Sequence, residues 1–425
     1  DEQCQASVIR ITTSVRCPTT SNVVRTLIHS AHSGLALARL RGGIGIFALA
    51  LAVGAGITWF VAFGKFEFRA TDFAGGLYPA ARAVWQRVDP YGPAFQSVLR
   101  VACPGMPFNP LGYPPWAVLA TLWLALLPVD AAGRLWMLVN LGLALTLANV
   151  LVPGGTRRTR TIAMIAAIAY VPVLDVLFVG QYTLPTALGA ALLVRSTRNG
   201  SAAAGGVGLA LLAFKPHVGI LMALVAAPWL LRSNRRALAV GAAMGVLLSA
   251  ASFVVSTSWV RGYPSSSFAL LADPRNVTCD TCASVVGILT RRYPGVPAIP
   301  AMLAAVAAVA MLSWRRPPEV KIAAGVIASA LALPLFRSYD SVVLLVPLFV
   351  AARRATPIGL AVLGVAWTLP VVTLFTPRAG GVHALWASAV LVLIVLIASP
   401  DPDTTRALGP NRAGAAAIAA DGPAT

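Results

Sequence analysis

Proton transfer has few places to happen in this chain. Its 425 residues include fourteen acids and four histidines, against 33 Lys and Arg. One acid, Asp72, stands in Arg69-Ala70-Thr71-Asp72-Phe73, a few residues beyond an apolar run. A carboxylate at such a mouth can take a proton from a hydroxyl arriving from water, while a second reactant arrives from lipid. The plainer reading is a helix cap or a solvated loop acid. Two cations stand at similar edges: Lys215 in Phe214-Lys215-Pro216-His217, and Arg337 in Arg337-Ser338-Tyr339-Asp340. Either can stabilise negative charge growing on a phosphate leaving group, Arg337 through its guanidinium fork. Lys215 can equally be a snorkelling side chain at a proline-defined helix end. His217 is a reserve for the phosphate. Asp340 can orient one of the cations, or pair with Arg337 merely to hold the helix end.

Further polar and aromatic groups gather at matching ends. Gly180-Gln181-Tyr182 opens another apolar run. Tyr78, Arg82 and Trp85 follow Asp72, ahead of the turn Asp89-Pro90-Tyr91-Gly92, and residues 77–87 have the spacing of an amphipathic helix on a membrane surface. Tyr78, Trp85 and Tyr113 can stack on a sugar or line a lipid entrance, although interfacial aromatics more often anchor a chain in the bilayer. Cys279-Asp280-Thr281-Cys282 is a single CxxC with no second pair to complete a zinc site, and on an exported loop it reads as a small disulfide. The chain has no P-loop, dinucleotide fingerprint, HExxH or GxSxG, which disfavours an ATP-driven pump. No metal or other cofactor is expected.

The elements that must position these groups are membrane helices. Hydrophobic residues make up 58% of the chain and charged ones 11%, with a mean hydropathy of +0.78. A soluble domain carries about 25% charged residues. At about 20 residues per crossing, the apolar material suffices for about a dozen spans. This composition excludes a cytosolic enzyme, a secreted disulfide scaffold and a DNA-binding domain. The net charge of +19 forms no single basic patch. It sits in Arg clusters between apolar runs, the pattern of topology-setting loops, and no nucleic-acid partner is expected.

Residues 1–43 read as a polar, disordered cytoplasmic tail, and Ile44 to Phe63 as the first span. Further apolar runs fall near 115–128, 134–152, 161–179, 183–195, 202–214, 217–231, 237–257, 298–313, 321–336, 341–352, 357–375 and 382–399. The connections holding Arg157, Arg198, Arg235, Arg316 and Arg354 carry thirteen positive charges, and the alternate ones only Lys215, Arg337 and Arg378. The positive-inside rule makes the first set cytoplasmic. Parity then requires the 14-residue run 115–128 to be re-entrant or interfacial, which its length permits. Twelve spans remain over 44–400, with both termini cytoplasmic, a loose tail over 401–425, and outer segments 64–114 and 258–297. An outward-facing reaction must draw on Glu67, Asp72, Asp89, Asp175, Asp273, Asp280 or Asp340, or on His217 or His383.

Taken in order, Thr71-Asp72-Phe73, Tyr78, Asp89-Pro90-Tyr91, Tyr113-Pro114-Pro115, Gly180-Gln181, Lys215-Pro216 and Tyr339-Asp340 resemble glycosyltransferase family 87 over about residues 44–400. The resemblance implies an all-α polytopic GT-C fold and a polyprenyl-phosphate-mannose donor. It also implies transfer on the outer side of the plasma membrane and an α-linked product. The family's general base lies on the first outer loop, and the matching residue is Asp72. Donor phosphate then falls to Lys215, Arg337 and His217, and substrate contacts to Tyr78, Arg82, Tyr113, Gln181, Tyr339 and Asp340. The acceptor is a lipid-linked or cell-envelope glycan, and residues 99–112 hold no motif that identifies it. The rivals are a transferase using a polyprenyl-phosphate arabinose or glucose, and a lipid-linked-sugar transporter. A transporter should show internal repeats and ionisable groups at the membrane midplane, and neither is evident.

Overall fold

The computed structural model describes Gly54 and residues 71–106, 110–272, 282–293, 295–376 and 378–399. The two tails, the first span apart from Gly54, Glu67, Asp273, Cys279 and Asp280 lie outside the described residues. The described residues form helices and hold no strand, only one isolated bridge between Cys282 and Arg337.

A π-helical turn, Phe73–Leu77, leads into α1 (Tyr78–Trp85), followed by α2 (Phe95–Ala102) and α3 (Pro115–Thr121), which tightens into a 3₁₀ stretch, Leu122–Leu126. The chain continues through α4 (Val129–Leu151), α5 (Arg157–Ile168), α6 (Val171–Val179), α7 (Thr183–Asn199), α8 (Ala202–Leu212), α9 (Pro216–Ser233) and α10 (Arg235–Ala251). Next come α11 (Trp259–Ala272), α12 (Val285–Arg292), α13 (Ala298–Ser313) and α14 (Pro318–Ala332). A 3₁₀ turn, Ser338–Leu344, precedes α15 (Leu345–Ala352), α16 (Pro357–Thr368) and α17 (Arg378–Ala398).

Among the described residues, four helices are long and apolar enough to cross a membrane: Val129–Leu151, Pro216–Ser233, Arg235–Val254 and Pro357–Leu374. The run at 161–179, expected as one span, is a pair, α5 and α6, bent by 59°. Pro172 lies in the first turn of α6. Its ring would clash with the carbonyl four residues back, so one helix ends and another begins. The run at 115–128 forms only the apolar helix Pro115–Leu126, well short of the roughly 20 residues of a crossing.

At the centre lie α7 and α14, small-residue helices buried on almost every side. Their Ala and Gly content lets backbones approach, the usual device for packing helices in lipid. A Cβ on Gly189 of α7 would stand 2.7 Å from the Gly208 carbonyl oxygen of α8. At the C-terminal end of α7, Arg198 meets Glu319 from the first turn of α14, and Arg354 joins Glu319 at 2.8 Å. Three connections expected on one side of the membrane are thus brought together. The other end of α7, about 25 Å away at 1.5 Å per residue, holds Thr183.

Candidate active site

Asp72 ends the segment that enters the π turn, and its side chain makes no capping bond there. Its Oδ2 accepts instead from Gln181 Nε2. The backbone builds this meeting. Gly180 ends α6 in the left-handed region, at φ 74°, and a Cβ there would lie 2.6 Å from the Phe73 Cβ. Only glycine allows both the turn and the approach. Trp136 Nε1 donates to the Gly180 carbonyl at 2.9 Å and locks it.

A row of rings lies behind the polar groups. Phe73 and Trp136 stack at 5.9 Å, Trp136 and Tyr182 at 5.1 Å, and Tyr182 and Phe214 at 5.2 Å. Phe73, Tyr182 and Phe214 are the sequence neighbours of Asp72, Gln181 and Lys215. Each polar residue is therefore held by a ring one position away, at offset-stacking distances.

Lys215, at the start of α9, is buried and saturated. Its Nζ pairs with Asp340 Oδ1, donates to Thr183 Oγ1 at 2.9 Å and to Gln181 Oε1 at 3.3 Å, and lies 4.6 Å from the Tyr339 ring centre. The Thr183 hydroxyl in turn donates to Asp340 Oδ1 at 3.0 Å. Asp340 Oδ2 accepts the Arg337 backbone N–H at 3.0 Å. Between the alternatives open for Asp340, its carboxylate holds the Lys215 cation and closes the turn that begins at Arg337. Ser338 Oγ donates to Asp175 Oδ2 at 2.6 Å, which fixes the turn from behind. The Ala283 N–H donates to the Phe336 carbonyl at 2.6 Å and braces the strand-like approach to Arg337. Beside it, Cys282 is disulfide-bonded.

These groups enclose a cavity of about 350 Å³, at the lower end of the roughly 300–1,000 Å³ of small-molecule sites. Asp72, Tyr113, Gln181, Lys215, His217, Arg337, Tyr339 and Asp340 all line it. Met106, Phe214, Leu270 and Leu335 add apolar wall, and Leu270 belongs to α11. Burial, reinforced by the Asp72 charge, pushes the Tyr113 and Tyr339 phenols well above their ordinary value. Both are hydroxyl donors at neutral pH. Thr183 was not singled out by the sequence. Its only signal was its place two residues beyond Gln181.

Other expected site residues stand elsewhere. Tyr78, Arg82 and Trp85 do not line the cavity; they donate to the carbonyls of Leu127, Ala125 and Leu122 at 2.9, 3.1 and 2.9 Å. Their spacing puts all three on one face of α1. That face meets the backbone carbonyls of the 3₁₀ stretch and of Leu127 just after it. The side-chain donors of Tyr78 and Arg82 are thus engaged by backbone carbonyls. Asp175 lies behind the cavity wall, and His383 bonds Trp386 on α17 at 3.1 Å. Among the described residues, no group of three or more His, Cys, Asp or Glu side chains could hold a metal ion.

Helices long and apolar enough to cross a membrane, with two carboxylates, two cations and two phenols around one cavity, suit group transfer. Residues 111–338, more than half of the chain, match the model of glycosyltransferase family 87. The chain belongs to that family and is a membrane glycosyltransferase. No curated protein and no solved structure matches it. The matched segment contains Tyr113, Gln181, Lys215, His217 and Arg337, whereas Asp72 precedes it and Tyr339 and Asp340 follow it.

Proposed function

We propose that the protein transfers mannose from polyprenyl-phosphate-mannose to a lipid-linked or cell-envelope glycan on the outer side of the plasma membrane. The observation that carries the reading is the convergence of Asp72, Lys215 and Arg337 on one cavity, with a single amide linking Asp72 to Lys215. Asp72 takes the proton of the acceptor hydroxyl as its oxygen attacks the anomeric carbon. The bond from that carbon to the phosphate oxygen breaks on the opposite face, and polyprenyl phosphate leaves with the electron pair. One displacement inverts a β-linked donor to an α-linked product. General-base help supplies about 10²–10⁴-fold, and positioning with phosphate stabilisation supplies the larger remainder. Phosphate recognition falls to Lys215, Arg337 and His217, which all line the cavity. The Tyr113 and Tyr339 hydroxyls are donors for sugar or phosphate oxygens.

The same reading takes the architecture as GT-C, with about twelve spans over 44–400, a short interfacial or re-entrant helix at 115–128, and cytoplasmic tails at 1–43 and 401–425. Its support is that the cavity and the Arg198–Glu319–Arg354 cluster occupy opposite ends of α7. Arg-rich loops face the cytoplasm, which turns the cavity outward. Membranes carrying the wild type or Asp72→Asn, matched for expression, would receive radiolabelled polyprenyl-phosphate-mannose. Transfer by the wild type and near-silence from the variant is the expected result. Equal transfer by both would remove Asp72 as the base, and failure by both would remove the donor.

A further inference from the structure

We propose that Gln181 is a positioning residue that aims Asp72 at the acceptor hydroxyl, through an amide whose orientation is set by Lys215. The inference rests on the reading of Asp72 as the base. The carboxamide stands between base and cation. Its Oε1 accepts from Lys215 Nζ at 3.3 Å and from the Tyr182 backbone N–H at 3.0 Å, and its Nε2 donates to Asp72 Oδ2. Both neighbours on the oxygen side are pure donors, so an amide turned the other way would set donor against donor. The NH₂ group is therefore committed to Asp72. It engages one carboxylate oxygen, Oδ2, and leaves Oδ1 as the oxygen that takes the proton.

Gln181 is 4% exposed, so its partners are protein groups and not bulk water. Its backbone is fixed on both sides, by the left-handed Gly180 and by the stacked Tyr182 ring. The Asp72 carboxylate makes no capping bond to its own turn, and this amide defines its rotamer. Placement of a reacting group within about 1 Å decides as much as 10²-fold in rate.

A Gln that served only to satisfy Lys215 would behave differently. Gln181→Glu keeps the shape and offers Lys215 a better partner, so a structural role would tolerate it at every pH. A positioning role would not. The new carboxyl can donate to Asp72 only while protonated, and once ionised it sets two anions side by side. The groups facing it are Asp72 from the π turn, Lys215 before α9, Thr183 on α7, Tyr113 before α3, and Arg337 and Asp340 of the 3₁₀ turn. Its titration will register as a falling limb that the wild type lacks.

The test measures kcat and donor KM for the wild type, Asp72→Asn, Gln181→Leu and Gln181→Glu in membranes, from about pH 5 to about pH 8, a range that spans a raised carboxyl pKa. Expected are a kcat loss of about 10–10²-fold for Gln181→Leu and a donor KM within about threefold of wild type. The kcat of Gln181→Glu relative to wild type should fall as pH rises. Because this variant is isosteric, it carries the test even if Gln181→Leu fails to fold. Wild-type kcat in both variants, with Asp72→Asn silent, would overturn the positioning role and leave the base in place. A raised KM at unchanged kcat would make Gln181 a substrate contact, and a loss in Gln181→Leu beside a wild-type, pH-independent kcat in Gln181→Glu would make it structural. Full activity in Asp72→Asn would remove the base and this inference together.

Discussion

Lys215 and Asp340, 125 residues apart in the chain, form an ion pair whose side chains are 9% and 1% exposed. The pair joins the start of α9 to the 3₁₀ turn that presents Arg337, so one contact sets both the cation's place and the geometry of the turn. Removing one partner of a buried pair costs roughly 3–5 kcal/mol, because the other charge is left uncompensated. Lys215→Met and Asp340→Asn should each lower the unfolding temperature of the detergent-purified enzyme sharply. Asp340→Asn should also weaken the bond to the Arg337 N–H. The double variant should lose much less than the sum, and additive losses would show that the two side chains do not act as a unit.

Gly180→Ala tests the joint between α6 and α7. An alanine at φ 74° costs about 1–2 kcal/mol by itself, and its Cβ would stand 2.6 Å from that of Phe73. Either Phe73 or Gln181 must move, and Asp72 moves with Phe73. Transfer activity should fall more than tenfold while the protein still reaches the membrane. Unchanged kinetics would mean that the aromatic row tolerates displacement without disturbing Asp72.

Tyr78→Phe separates structure from substrate contact on α1. The lost hydroxyl removes the donor to the partly buried Leu127 carbonyl, at a cost of about 0.5–1.5 kcal/mol. Thermal stability should drop, and donor KM and kcat should stay close to wild type. A raised donor KM without a stability change would return Tyr78 to the substrate.

Much of the cavity lining was legible in the sequence because polar residues at the ends of apolar runs stand out against their surroundings. Asp72, Gln181, Lys215, Arg337 and Asp340 were each marked by that contrast, and the cavity they share needed only the helices to fold back. Other features were hidden for physical reasons. The apolar composition runs without interruption through Pro172, so hydropathy merged two helices that lie 59° apart. Tyr78, Arg82 and Trp85 could be placed on one face by their spacing, but periodicity does not say what that face meets. Here it meets carbonyls of the 3₁₀ stretch after Thr121 and of Leu127 beyond it. Thr183 is an ordinary hydroxyl near a helix start, and its value comes from Asp340, 157 residues away. The aromatic row joins four rings from four segments, and no local pattern announces it.

The cluster at the opposite end predicts an acid sensitivity. Burial pushes the Glu319 carboxyl up, but Arg198, by hydrogen bond and charge, and then Arg354 outweigh it and hold the group below its ordinary value of 4.5. A carboxylate depressed in the folded state binds fewer protons there than in the unfolded chain. Its contribution to stability is therefore complete above the unfolded value and is lost as pH falls through the lower, folded one. Glu319→Gln keeps the shape and removes the titration. Unfolding temperature measured from neutral pH downward should separate wild type from variant most widely at neutral pH, and the two curves should approach each other below the ordinary carboxylate range. Parallel curves over the whole range would show that Glu319 does not link α7 to the segment after α15 through its charge.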